Sequence, residues 1–145
     1  MPDASIRHAK PSDATQLGIL SGQLGYPATT EEICSRLQQL HFKDDDAILI
    51  AERGGVVVGW IHVCVRRLLE SGEFTEIAGL VVDENCRGKG IGKKLVAEAE
   101  AWARQKGQKL LRVRTNVVRT ETHDFYRHLG FEEVKQQIVF LKRLS

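Results

Sequence analysis

Apolar residues recur along this chain with two periods, and the places where the period changes divide it into elements. Ser5 to Ala9 reads as a short first strand, ended by Pro11. Ala14, Leu17, Ile19, Leu20 and Leu24 then follow helical spacing behind Ser12 or Asp13 as cap, and Gly25-Tyr26-Pro27 stops the pattern. Thr29 or Thr30 opens a second helix, with Glu31 and Glu32 in its first turn and Ile33, Leu37 and Leu40 as its apolar stripe. Beyond the acidic turn Asp44 to Asp46, Ala47 to Glu52 and Val56 to Val65 are strands joined by Arg53-Gly54-Gly55, a hairpin of the Gly-Gly type. A loop from Arg66 to Gly72 leads to Glu73–Val82, the expected central strand. Gly90 to Lys106 returns to helical spacing through Ile91, Leu95, Ala99 and Trp102. Lys109 to Thr115 reads as strand, Glu121 to Leu129 as a short helix, and Glu132–Lys135 and Ile138–Lys142 as two closing strands. The expected order is β-α-α-β-β-β-α-β-α-β-β, an α/β fold with a mixed sheet and helices on its faces.

A chain of 145 residues supports one domain, residues 1–145, with a core of ordinary size. A net charge of +2 is too small to argue for a nucleic-acid partner. No apolar stretch approaches the roughly 20 residues of a membrane span. Asp3 and Ser5 stand where a signal peptide places an apolar block. The expected location is therefore the cytoplasm, with neither membrane nor nucleic acid as partner. Cys34, Cys64 and Cys86 show no metal-like spacing and read as free thiols in a reducing compartment, so no metal is expected. Cys86 abuts a glycine-rich turn, but no histidine neighbours it in sequence to act as base.

That turn carries the chemistry. From Leu80 to Lys93 the chain passes from an apolar strand through Asp83-Glu84-Asn85 into glycines 88, 90 and 92 and then a helix. The first turn of a helix has four backbone N–H groups without intrahelical partners, and its dipole adds about half a positive charge. With Cβ atoms stripped from the approach, an anion can rest on those donors, and Arg87, Lys89, Lys93 and Lys94 surround the spot with cations. A phosphate-bearing ligand fits. A Walker A loop does not, because Arg87 stands where its first glycine belongs and Lys94 where its hydroxyl belongs. A dinucleotide fingerprint beginning at Gly88 and Gly90 fails at Lys93.

A third pattern, Arg/Gln-x-x-Gly-x-Gly/Ala, is filled by Arg87, Gly90 and Gly92. It resembles the pyrophosphate loop of the GNAT N-acetyltransferase family. About 35 residues further on, Phe125-Tyr126-Arg127-His128-Leu129-Gly130-Phe131 is similar to that family's Phe/Leu-Tyr-x-x-x-Gly-Phe signature. The resemblance covers nearly the whole chain. It implies a mostly antiparallel sheet, split beside the glycine loop. It also implies acetyl-CoA as cosubstrate, no metal, and direct transfer of acetyl to a primary amine without a covalent enzyme intermediate. By the same resemblance, the backbone of Leu80, Val81 and Val82 pairs with the pantetheine amides, and Arg87, Gly88, Lys89, Gly90, Ile91, Gly92 and Lys93 hold the pyrophosphate. Tyr126 would donate to the departing thiolate. Many members carry asparagine seven residues before that tyrosine; here Arg119 stands there, to reach a cofactor phosphate, and Asn116 is left to serve the pantetheine.

The proton inventory needs a base. An amine near pKa about 10.4 against a glutamate near about 4.3 leaves direct transfer uphill by roughly 8 kcal/mol, unless burial or a water relay intervenes. Glu76, a carboxylate inside an apolar strand, is the first candidate, placed by alternation on the face of Ala78 and Leu80. Glu73 and His62 are lesser ones, and His123 reads as a helix-surface residue. The short chain favours a small-molecule amine as acceptor, of aminoglycoside, aminoalkyl or amino-acid-like type. A protein terminus or lysine, or a non-catalytic acyl-CoA sensor, are the alternatives. Exposed strands at the C-terminal end make a homodimer the expected assembly.

Overall fold

The computed structural model describes residues 3–41 and 44–145. They group into two compact units, Met1–Val113 and Arg114–Ser145. The first unit is built on a five-stranded sheet in chain order: β1 (Ser5–His8), β2 (Asp46–Arg53), β3 (Val56–Leu68), β4 (Gly72–Val82) and β5 (Leu111–Val113). The first four pair antiparallel, and β5 joins β4 in parallel. The expected α/β class with a mostly antiparallel sheet is borne out. Gly54 and Gly55 turn the β2–β3 hairpin with φ of +58° and +80°, the geometry that matches strand twist in a two-residue turn. The loop expected over Arg66 to Gly72 is shorter than the sequence suggests. Arg66, Arg67 and Leu68 pair with Phe74, Glu73 and Gly72, leaving Leu69 to Ser71 as the turn. Arg67 holds that extension by donating to Glu73 and Asp45, each at 2.9 Å.

α1 (Ala14–Leu24) and α2 (Thr30–His41) pack on one face of the sheet, where Leu17, Leu20, Ile33 and Leu37 join Ile50, Val57 and Val81 in a buried cluster. Thr29 closes a capping box with Glu32: its hydroxyl accepts from Glu32 N–H at 3.1 Å, and Glu32 accepts from Thr29 N–H at 3.0 Å. Asp13 does not cap α1 with its side chain. Its carboxylate instead takes two bonds from Arg7 (2.8 and 3.0 Å) and one from Lys10 N–H (2.7 Å), the first two being charge-assisted. α3 (Ile91–Gln105) covers the other face through Leu95, Val96 and Ala99, with Leu95 against Gly59.

The second unit contains α4 (Thr120–His128). Its end is a Schellman cap: Phe131 N–H reaches Tyr126 C=O, Gly130 N–H reaches Arg127 C=O, and Gly130 takes φ +92°. The two strands expected at Glu132–Lys135 and Ile138–Lys142 do not form; residues 131–145 have no ladder partner. An apolar run specifies burial, not pairing, and a strand exists only where a neighbour supplies its hydrogen bonds. No helix among the described residues is long and apolar enough to cross a membrane.

Candidate active site

The glycine turn and the strand before it form one continuous surface within the first unit. β5 pairs with Thr75, Glu76 and Ile77 only, so from Ala78 to Val82 β4 has a ladder partner on its β3 side alone. That is the split expected beside the loop. Leu80 and Val82 are half-buried, whereas Val81 points into the core cluster. Asp83 N–H is held by Val58 C=O at 2.8 Å, and its carboxylate accepts from Asn85 N–H at 3.0 Å, capping the short 3₁₀ turn Glu84–Cys86. Arg87 Nε donates to Val82 C=O at 3.1 Å, which bends the chain toward α3.

Gly88 and Gly90 then take φ of +78° and +81°, where an L side chain is strained. A Cβ built at either meets nothing within 4 Å, so the approach is open. No side chain caps α3 at Gly90. Four orphan donors, open space above them, and exposed Arg87, Lys89 and Lys93 around them fit a pyrophosphate. Gly92 lies in the first helical turn. Ile91 is buried and can contribute only its backbone, and Lys94 turns away to donate to Ala4 C=O.

Glu76 is 4% exposed, with Arg66 Nη1 at 3.2 Å from its carboxylate. Its face differs from the one alternation predicts. Val63 pairs with Ile77 but His62 pairs with Gly79, so Ala78 is an extra residue that bulges from β4 and reverses the alternation beyond it. Glu76 therefore shares a face with its cross-strand partner Cys64, while Leu80, partner of Ile61, points to the other. Two small residues let the bulge close: Gly79 lies under the Trp60 ring, where a Cβ would meet it at 2.8 Å. The row continues from Glu76 through Cys64 to Asp46 on β2, and His62 Nε2 lies 2.7 Å from Asp46 Oδ1. His62 and Glu76 stand out in the sequence as candidate bases, whereas Asp46 and Cys64 meet only through strand register. Glu73 is exposed at the hairpin end, engaged by Arg67 and Gln108. Cys86 is a half-buried free thiol.

The remaining expected residues lie in the second unit. Tyr126 is buried between edge-on Phe125 and Phe131, with ring centroids at 5.1 and 5.4 Å, and burial pushes its phenol up to about 12. Asn116 Oδ1 accepts from Val118 N–H at 3.1 Å, and its carbonyl accepts from Arg119 N–H, so its side chain shapes the turn into α4. Arg119 occupies the N-cap position of α4. His123 contacts the Asn116 carbonyl.

Against known proteins, the sequence model of the acetyltransferase (GNAT) family matches residues 19–131. An aminoalkylphosphonate N-acetyltransferase of Salmonella typhimurium (strain LT2) is 32% identical over 92% of this chain and 88% of its own. An aminoglycoside N(6')-acetyltransferase type 1 of Stenotrophomonas maltophilia is 28% identical over 94% and 91%. The fold matches that of AAC(6')-Iy, solved in complex with the bisubstrate analogue CoA-S-monomethyl-acetylneamine. The TM-score is 0.87, at 23% identity over 99% of this chain and 100% of that one.

Proposed function

Because this chain belongs to the GNAT acetyltransferase family and is thus an acyltransferase, we propose that it moves acetyl from acetyl-CoA directly to the primary amine of a small molecule, its whole length serving one domain. The observation that carries the donor half is the uncapped N-terminus of α3 behind Gly88 and Gly90. Acetyl-CoA supplies a thioester at the oxidation level of the product, so no redox step is needed. Arg87, Lys89 and Lys93, with the N–H groups of Gly90, Ile91, Gly92 and Lys93, would hold the pyrophosphate. Leu80, Val81 and Val82 would offer pantetheine the open edge of β4, and Asn116 and Arg119 would add contacts to the same cosubstrate. The acceptor half rests on relatives whose names specify amines carrying phosphonate or aminoglycoside groups. Glu76 would receive the ammonium proton through water, since it is buried beside Arg66. Tyr126 would donate a hydrogen bond to the thiolate as it leaves.

A homodimer is part of this reading, supported by the apolar side chains of the second unit. Val134, Ile138, Val139, Phe140, Leu141 and Leu144 are 78% to 89% exposed, a burden on a monomer that a second copy would relieve. Purified protein should bind acetyl-CoA with micromolar affinity and bind neither ATP nor NAD comparably. Calorimetry giving tight ATP binding and no heat with CoA would remove the donor half.

A further inference from the structure

Asp46 begins β2, and its cross-strand partner on β3 is Cys64, two residues after His62 on the same face. A carboxylate oxygen, an imidazole nitrogen and a thiol sulfur from these three lie within 4.8 Å of one another. We propose that Asp46, His62 and Cys64 form a binding site for one divalent transition-metal ion of the zinc or cobalt class. This departs from the metal-free chain that cysteine spacing suggests, since ligands 16 and 2 residues apart in sequence meet only through the strand register.

The donor set decides the class of ion. One hard oxygen, one borderline nitrogen and one soft sulfur disfavour magnesium and calcium, which take oxygen ligands, and suit zinc and its analogues. An aspartate and a thiolate together balance a 2+ charge, with the imidazole neutral. Metal–ligand bonds of about 2.0 to 2.3 Å in a tetrahedron place donor atoms roughly 3.5 Å apart. The three donor atoms, within 4.8 Å of one another on ladder-paired strands, would have to draw closer to reach that separation. Asp46 and His62 are each about one-fifth exposed, at 20% and 21%, which admits the ion and leaves the fourth position to water. Cys64 is buried. Bound metal would tie the first residue of β2 to β3 next to Glu76, the other cross-strand partner of Cys64.

The test is a cobalt(II) chloride titration of the full-length, reduced, chelator-treated protein. One equivalent should produce a thiolate-to-cobalt charge-transfer band in the near ultraviolet and strong visible bands of tetrahedral cobalt, both bleached by zinc. Cys64→Ser should abolish the charge-transfer band, and His62→Gln and Asp46→Asn should each lower affinity by at least about tenfold. Cys34→Ser and Cys86→Ser should leave the spectrum unchanged. A featureless spectrum from folded wild type overturns the site, as does a band that survives Cys64→Ser. Should Cys64→Ser fail to fold, undiminished affinity in His62→Gln and Asp46→Asn overturns it instead. The readout requires no acetyl transfer, so its failure and that of the proposed function are separate results.

Discussion

In the proposed mechanism, burial limits what Tyr126 can do for the leaving group. With its phenol raised to about 12 by burial, complete proton transfer to a thiolate whose acid lies near about 8.5 is uphill by roughly 5 kcal/mol. It can stabilise the leaving group by hydrogen bonding, but not by ionising. Tyr126→Phe retains both ring contacts and should reduce kcat about 10²-fold while leaving acetyl-CoA affinity unchanged; equal kcat in a responsive assay removes Tyr126 from the mechanism. In a spectrophotometric titration, the difference between wild type and this variant should show a phenol ionising at about 12. Because the folded value lies above the unfolded one, of about 10, the native state binds its proton more tightly. Stability should therefore fall as pH rises from about 10 towards 12, less so in Tyr126→Phe. Glu76→Gln should slow transfer most near neutrality and recover in part as pH rises and free amine accumulates; a pH profile parallel to wild type would exclude Glu76 as proton acceptor. The sequence displayed Tyr126 through its spacing to Gly130 and Phe131, and that spacing is also what a Schellman cap needs. It showed Glu76 as a carboxylate in an apolar strand but hid Arg66, its partner across the hairpin.

Among elements, the turn into α3 was legible because glycine and lysine leave few other uses for that position. Gly90→Val places a branched side chain where φ is +81° and covers the orphan N–H groups, so CoA binding should fall below detection in a variant that remains folded by circular dichroism. Retained affinity would put the pyrophosphate elsewhere. The bulge at Ala78 left no trace in the sequence: Glu-Ile-Ala-Gly-Leu alternates acceptably in either register, and only pairing with β3 shows where the alternation reverses. The closing strands failed for a related reason. Val134 and Ile138 to Leu141 have the composition of strands, but composition does not provide a partner edge. By contrast, a cap at Thr29 or Thr30 is local chemistry visible in the sequence, and the structure assigns it to Thr29 with Glu32. Thr29→Ala should cost about 1 kcal/mol in urea unfolding, and no change in midpoint would mean that the box contributes nothing.

For the molecule as a whole, β1 is tied down by charge more than by length. Arg7 bonds Asp13 and Glu52 together, and this holds the Asp13 carboxyl below its usual range in spite of burial. A depressed folded value contributes stability above about pH 3.9, lost as pH falls through that lower value. Asp13→Asn should cost about 2 kcal/mol at neutral pH, less than a fully buried pair because Arg7 is partly exposed, and flatten acid unfolding. An unaltered acid limb would contradict the linkage. Light scattering should give twice the chain mass for the protein and a lower mass when Ile138, Phe140 and Leu141 are replaced together by serine; a wild-type monomer across the working range ends the dimer reading. Every proposed catalytic role depends on acyl transfer itself. The most direct measurement is thiol release from acetyl-CoA by purified protein across aminoalkylphosphonates, aminoglycosides and simple amines, with products weighed by mass spectrometry. The expected result is release that depends on one amine class, with an N-acetylated product in equal amount. CoA binding without amine-dependent release from any member of the panel would contradict it and leave an acyl-CoA sensor in its place.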